Sequence, residues 1–163
     1  MRGLIVDPFA GIAGDMLVGA LVDLGLPEDW LGSFVASLDL GVEVDVERVD
    51  RSGIACTRVR FRLPEDRTHR GLSDVLEVVR GAPVAERVRS RAEAVFRRLA
   101  EAEAAVHGVG VDEVHFHEVG ALDAIADVLC AVAGVAELGY DRLYARPVAV
   151  GTGTVTMEHG EFP

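Results

Sequence analysis

The hydrophobic and polar positions of the chain change period several times, and each period predicts a different kind of element. A short apolar run at 3–7 that ends in a carboxylate predicts a buried strand. Valines alternate with acidic residues at 42–47, and apolar residues alternate with arginines at 55–63, which predicts a β-hairpin with its turn at Ser52 and Gly53. Residues 143–150 predict a last strand. Apolar positions three and four apart predict helices over 15–24, 27–38, 72–79 and 84–106, and a last helix from residue 120 or 121 to about 138.

The order of these predicted elements is β-α-α-β-β-α-α-α-β, which indicates an α+β fold. If each group of helices forms one layer, the order reduces to βαββαβ. This is the ferredoxin-like arrangement, here with an expanded helical layer. The sequence therefore predicts an α+β fold of ferredoxin-like topology.

Composition narrows the class of protein. The 163 residues are 50% hydrophobic, which is enough for a folded core. The chain has 27 acidic and 16 basic residues and a formal net charge of −11, so nucleic acid is not expected as the main partner. No apolar run approaches the roughly 20 residues of a membrane span, and the N-terminus does not read as a signal peptide. Cys56 and Cys130 form neither a disulfide framework nor a zinc motif. Together these features lead us to expect a soluble, cytoplasmic protein without a membrane partner.

The loop between the first predicted strand and the first predicted helix reads DPFAGIAGD and is the first candidate site. Asp7 ends the strand, Gly11 and Gly14 lie in the loop, and Asp15 begins the helix. Such a loop can hold an anion because free main-chain N–H groups point at the ligand, and the two carboxylates would suit a metal that bridges to a phosphate. Alternatively, the glycines only form a tight turn and Asp15 caps the helix.

A cluster of metal-competent side chains is the second candidate: His115, His117, Glu118, Asp123 and Asp127. In an extended segment the two histidines point to the same side, and two aspartates four apart share one face of a helix. Imidazole and carboxylate ligands suit nickel, zinc, manganese or iron. Alternatively, the histidines lie on a solvated strand and the aspartates form an ordinary acidic helix start.

Two groups of cationic residues complete the candidates. His69 and Arg70 lie in a charged loop before a predicted helix, where they would suit a phosphate ligand; a solvated turn that balances nearby acids is the alternative. Arg58, Arg60 and Arg62 share one face of a predicted strand. We interpret these three as a solvated face or an ion-pair ladder to the acidic residues of the partner strand rather than as a ligand site.

Taken in order, several segments resemble the LarC family of nickel-insertion proteins. The matching segments are DPFAGIAGDM, AEAAVHG, VHFHEVGALDAIAD, VGTGTV and HG. The resemblance runs from about Leu4 to the end of the chain. Two positions depart from the family pattern: Ala13 stands where the family often has serine, and only His69 remains of a histidine-rich stretch.

The resemblance implies a nickel chelatase or insertase of the lyase class. Members of the family load Ni²⁺ into pyridinium-3,5-bisthiocarboxylic acid mononucleotide, the precursor of the nickel-pincer cofactor of lactate racemase, and consume CTP with Mg²⁺ or Mn²⁺. The resemblance also implies a longer protein. We expect residues 1–150 to form a single N-terminal domain and residues 151–163 to begin a linker toward a C-terminal domain that binds most of the CTP. The isolated chain is then expected to be inactive, and a homo-oligomer is left open.

For the site, the resemblance and the spacing together give three assignments. Catalytic roles are predicted for Asp7, Asp15, His117 and Glu118. Substrate or phosphate binding is predicted for Gly11, Gly14, His69 and Arg70. Metal binding is predicted for His115, His117, Glu118, Asp123 and Asp127. The alternative functions are a non-catalytic metal-binding or metallochaperone domain, or a structural partner of the C-terminal domain.

Overall fold

The computed structural model of the protein describes residues 2–64, 70–116, 122–149, 151–157 and 160–162. Its helices are α1 (Gly14–Asp23), α2 (Glu28–Ser37), α3 (Leu72–Gly81), α4 (Glu86–His107) and α5 (Leu122–Glu137). Its strands are β1 (Gly3–Val6), β2 (Glu43–Arg51), β3 (Ile54–Arg62), β4 (Arg70–Gly71), β5 (His115–Phe116), β6 (Arg142–Ala145), β7 (Val155–Met157) and β8 (Gly160–Phe162). The predicted α+β class is confirmed. None of the helices in the described ranges is both long enough and apolar enough to cross a membrane.

The strands of the structure form two-stranded sheets. Across the described residues the strands pair two by two: β1 with β6 in parallel, and β2 with β3, β4 with β5 and β7 with β8 antiparallel. Of the four strands that the ferredoxin-like prediction joins in one sheet, β1 pairs with β6 and β2 pairs with β3. The order of elements along the chain does not fix which strand edges meet, so the single four-stranded sheet stays a prediction.

The chain divides into two compact units. The first consists of Met1–Ile12 and Tyr140–Pro163, and the second of Ala13–Gly139. In the first unit, β1 and β6 form a parallel ladder from Gly3 opposite Arg142 to Val6 opposite Ala145. The predicted domain boundary at residue 150 stays a prediction.

The core of the second unit lies between the helices and the β2–β3 hairpin. Helix α5 is apolar along most of its length, and Leu129 and Cys130 are fully buried. Helix α1 approaches β3 so closely that a Cβ at Gly19 would lie 2.6 Å from the carbonyl oxygen of Thr57. Asp23, at the end of α1, accepts hydrogen bonds from the main-chain N–H (3.2 Å) and the hydroxyl (2.7 Å) of Thr57. These contacts hold α1 against the hairpin and fix where the N-terminus of α1 lies within this unit.

Candidate functional site

The N-terminus of α1 meets the side of α5 at Gly14 and Asp127. A Cβ at Gly14 would lie 2.5 Å from Cβ, Cγ and Oδ2 of Asp127, which is closer than real Cβ contacts. Only a residue without a Cβ therefore fits here while the Asp127 carboxylate keeps its place. The requirement for glycine at this position comes from a carboxylate packed against the main chain.

The carboxylate of Asp127 takes the position of a helix cap. Ala13, the residue before α1, has no side chain that can accept a hydrogen bond, and the main-chain N–H of Asp15 donates to the Asp127 carboxylate instead. The helix dipole and its free N–H groups favour a negative group at this end of α1. The other oxygen of Asp127, Oδ1, is buried and has no hydrogen-bond partner within the described residues.

Two further carboxylates lie near Asp127 and change its acidity. Burial, the largest effect, and the nearby negative charges of Asp15 and Asp123 together raise the pKa of Asp127 to about 7. The Asp15 carboxylate accepts a hydrogen bond from the main-chain N–H of Met16 at 2.7 Å, and the Asp123 carboxylate accepts one from that of Ala124 at 2.9 Å. Each carboxylate is therefore hydrogen-bonded within the first turn of its own helix. The arrangement is a group of carboxylates that repel one another, and a bound cation would relieve that repulsion.

These carboxylates line an open cleft of about 320 Å³. The full lining is Asp15, Asp45, Arg60, Phe61, Arg62, Asp123 and Asp127. The helices contribute three of the four carboxylates, and the hairpin contributes Asp45, the two arginines and Phe61. The cleft therefore presents negative and positive groups together.

The row of arginines on β3 is only partly neutralised. Arg58 pairs with Glu47, and Arg62 pairs with Asp45 at 2.5 Å. These pairs confirm the ion-pair ladder predicted for two of the three arginines. Arg60 lies between them and has no ion-pair partner in the described part of the chain, and its side chain is exposed. The sequence pattern does not distinguish the three arginines, and it did not show that Arg60 and Arg62 line the cleft or that Arg60 forms no ion pair in the described residues.

The predicted metal ligands are brought together only in part. Asp123 and Asp127 lie at the cleft with Asp15, as their spacing of four on a helix indicated. No group of three His, Cys, Asp or Glu side chains in the described ranges has the geometry of a metal site. His117 and Glu118 lie outside the described residues, as does His69. The ligand set therefore stays a prediction.

Asp7 and Gly11 belong to the first unit of the chain. Asp7 is half exposed and pairs with Arg146, whose Nη1 lies 3.0 Å from its Oδ2. Arg146 also donates its main-chain N–H to the carbonyl of Val6 at 2.9 Å, so the ladder of β1 and β6 holds this pair in place. Gly11 has a φ of +87°, which a side chain would strain, as predicted for a glycine in a tight turn. Sequence reasoning missed Arg146, which carries no local motif.

His115 and Arg70 come from two separate motifs and meet in one short ladder. Arg70 lies opposite Phe116, and Gly71 lies opposite His115, in the antiparallel pair of β4 and β5. His115 is exposed, and Arg70 is partly buried. The structure thus joins the loop predicted to bind phosphate with the strand predicted to bind metal, a pairing that neither motif revealed by itself.

Comparison with known proteins gives consistent descriptions. The family model described as nickel insertion protein matches residues 4–163. A relative from Geotalea daltonii is 43% identical over 166 residues, covering 100% of this chain and 43% of the relative. A relative from Thermomicrobium roseum is 46% identical over 165 residues, covering 100% of this chain and 41% of the relative. Both names contain the words nickel insertion protein.

A third relative carries a more specific name. It comes from Desulfitobacterium hafniense, is named as a pyridinium-3,5-bisthiocarboxylic acid mononucleotide nickel insertion protein, and is 40% identical over 164 residues. The alignment covers 100% of this chain and 41% of that relative. The chain thus spans about two fifths of the length of the curated relatives it matches. No solved structure gives a significant match.

Proposed function

The chain belongs to the nickel insertion protein family, and on that basis we propose that it is the nickel-handling part of a larger insertase. The substrates of that insertase are Ni²⁺ and a pyridinium-3,5-bisthiocarboxylic acid mononucleotide. The name of the relative from Desulfitobacterium hafniense supports this choice of nucleotide. In this proposal the chain holds Ni²⁺ before the metal passes to the two sulfurs of the nucleotide.

The observation that carries the proposal is the Asp127 carboxylate and its surroundings. Its Oδ1 is buried without a partner in the described ranges, and two other aspartates, Asp15 and Asp123, lie close enough to oppose its ionisation. A divalent cation would give this oxygen a partner and offset the repulsion. Because ligands bind metal in their deprotonated form, Ni²⁺ binding here would release a proton near neutral pH.

The chemistry of the ligands also supports transfer. Carboxylate oxygens and imidazole nitrogens bind Ni²⁺, while the two sulfurs of the nucleotide are softer donors. A site built from Asp123 and Asp127, with His115, His117 and Glu118 as the other predicted ligands, would hold the ion and still yield it to sulfur. Asp7, Asp15, His117 and Glu118 keep their proposed catalytic roles in this scheme.

The remaining parts of the reaction are assigned to the whole protein. We propose that CTP and Mg²⁺ or Mn²⁺ are bound mainly outside this chain, that the reaction is of the lyase class, and that its product matures the cofactor of lactate racemase. The segment at residues 7–15 lacks the Gly-Lys-Ser/Thr sequence of a P-loop. This agrees with the proposal that the nucleoside triphosphate binds mainly outside this chain. The isolated chain is then inactive in insertion, although it binds Ni²⁺.

A second candidate function is a structural partner of the remainder of the protein, with no metal of its own. The absence of a three-ligand group from the described residues favours this alternative. The two candidates differ in whether the chain binds Ni²⁺, and a direct titration distinguishes them.

Isothermal titration of the chain with Ni²⁺ tests the proposal. We expect binding at about micromolar Kd, weakened about tenfold or more in Asp127→Asn and in His115→Ala/His117→Ala. Asp112→Asn is the matched control, since this exposed aspartate lies away from the cleft lining. Wild-type binding no tighter than about millimolar would exclude a metal role and leave the structural partner. In the full-length protein, supplied with CTP and the nucleotide precursor, Asp127→Asn should lower nickel insertion while Asp112→Asn should not.

A further inference from the structure

The cleft that contains the carboxylates also contains one cation, Arg60, that forms no ion pair with another residue in the described ranges. Of the three arginines on one face of β3, Arg58 forms an ion pair with Glu47 and Arg62 forms one with Asp45. Arg60 lies directly opposite Asp45 in the strand register, but the carboxylate of Asp45 is engaged by Arg62 on the diagonal. The guanidinium of Arg60 is thus left exposed at the cleft without an ion pair.

An unpaired guanidinium in a cleft is suited to one class of ligand. Its planar N–H groups match the oxygens of a phosphate and can bind two of them at once, which a single ammonium group cannot do with the same geometry. The cleft, at about 320 Å³, lies at the small end of the range for ligand sites. It could take the phosphate end of a small nucleotide while the carboxylates face its metal-binding end.

The other predicted phosphate position is less suitable. The N-terminus of α1 has the free N–H groups that bind phosphates, but the carboxylate of Asp127 already accepts the N–H of Asp15 and packs on Gly14. A phosphate at Gly14 would have to displace this carboxylate or lie beside its charge. Arg60 offers a positive charge in the same cleft, and the carboxylate opposite it, that of Asp45, is already ion-paired with Arg62.

We propose that Arg60 binds the phosphate group of the mononucleotide in the cleft lined by Asp15, Asp123 and Asp127. The assignment rests on the proposed function for the identity of the nucleotide, and it adds the residue that positions it. In this arrangement the phosphate lies at the hairpin end of the cleft and the ring lies toward the helix carboxylates. Arg60 is then a substrate-binding residue, and the ion-paired Arg58 is not.

The test compares two ligands that differ only in the phosphate. Nicotinic acid mononucleotide is a stable pyridinium mononucleotide, and nicotinic acid riboside is the same molecule without the phosphate. Titration calorimetry on the chain should show that the wild type prefers the mononucleotide about tenfold or more, as expected for a charge-assisted bidentate contact. Arg60→Gln should abolish this preference, and Arg60→Lys should keep only part of it.

Arg58→Gln is the matched control, because it removes the same charge from the same face of the same strand. It should leave the preference unchanged. A wild type without a preference, an Arg60→Gln variant that keeps it, or an Arg58→Gln variant that loses as much would each overturn the assignment.

A Ni²⁺ titration of the same variants distinguishes this proposal from the proposed function. Arg60→Gln should bind Ni²⁺ at least as tightly as the wild type does, because it removes a positive charge from the cleft that holds the carboxylates. If the wild type binds no Ni²⁺ but shows an Arg60-dependent phosphate preference, nickel handling fails and the phosphate site stands. If the wild type binds Ni²⁺ and shows no such preference, the phosphate site fails and nickel handling stands.

Discussion

Replacing Asp127 with asparagine should stabilise the metal-free protein at neutral and alkaline pH. The carboxylate is partly buried, and its pKa is raised to about 7 first by that burial and then by the charges of Asp15 and Asp123. Asparagine has nearly the same shape and keeps an oxygen that can accept the N–H of Asp15. The substitution therefore removes an unfavourable charge and leaves the packing against Gly14 in place.

The sign and size of the effect follow from proton linkage. Between the ordinary pKa of 3.8 and about 7, the folded protein keeps a proton on Asp127 that the unfolded chain has lost. The free energy of unfolding of the wild type therefore falls as pH rises through this window. A rise of about 3 pKa units at roughly 1.4 kcal/mol each gives an upper bound of about 4 kcal/mol. Solvent screening of a carboxylate that is only partly buried reduces the expected value to about 2 kcal/mol.

Urea unfolding in the presence of a chelator measures the effect. The stability difference between Asp127→Asn and the wild type should grow from near zero at pH 4 to about 2 kcal/mol at pH 8, where it corresponds to a Tm higher by about 4–8 °C. Asp112→Asn is the control and should show no such trend, because this residue is exposed. If Asp127→Asn gains nothing at pH 8, or gains equally at both pH values, burial and repulsion do not govern this carboxylate.

Three further predictions follow from the packing of the second unit. Gly14→Ala places a Cβ 2.5 Å from the side chain of Asp127 and should lower the free energy of unfolding, measured with urea, by about 1–3 kcal/mol. Gly32→Ala, in α2, places a Cβ that meets nothing within 4 Å and should raise the free energy of unfolding by about 0.5–1 kcal/mol. Asp23→Ala should lower the free energy of unfolding by about 1 kcal/mol at pH 7. Hydrogen bonds to the Asp23 carboxylate lower its pKa, so its contribution should disappear as pH falls below 3.8, and equal losses at pH 7 and pH 3 would contradict this. Burial raises the pKa of Cys130 to about 12, so at pH 8 a thiol reagent should modify only the partly exposed Cys56 in the native protein and both residues after unfolding.

Local patterns predicted most of the elements close to their ends. The pattern predicts the fourth helix over 84–106, and the structure has it at Glu86–His107. It predicts the fifth from residue 120 or 121 to about 138, and the structure has it at Leu122–Glu137. Gly25, which follows α1, has a φ of +107°, the left-handed conformation in which a glycine commonly ends a helix. These features depend on residues a few positions apart, so periodicity and turn chemistry are sufficient to find them.

The pairing of strands could not be obtained in this way. The hairpin of β2 and β3 was predicted because a short turn fixes its register, and the structure pairs all nine positions. The parallel pair of β1 and β6 joins segments almost 140 residues apart, with Gly3 opposite Arg142. No local spacing specifies such a partner, so the sequence did not identify this parallel pair.

By itself the sequence determined the elements, the acidic character and the family of this protein, because each is carried by local patterns and contiguous motifs. It also indicated that Asp123 and Asp127 share a helix face. Only the tertiary structure decided that Asp127 packs on Gly14 beside Asp15, from a position more than 100 residues away along the chain. Only the tertiary structure, likewise, left Arg60 unpaired at the cleft while its neighbours are neutralised. The physical reason is that burial, repulsion and ion pairing depend on distances in space, which the packing of α1, α5 and the hairpin sets.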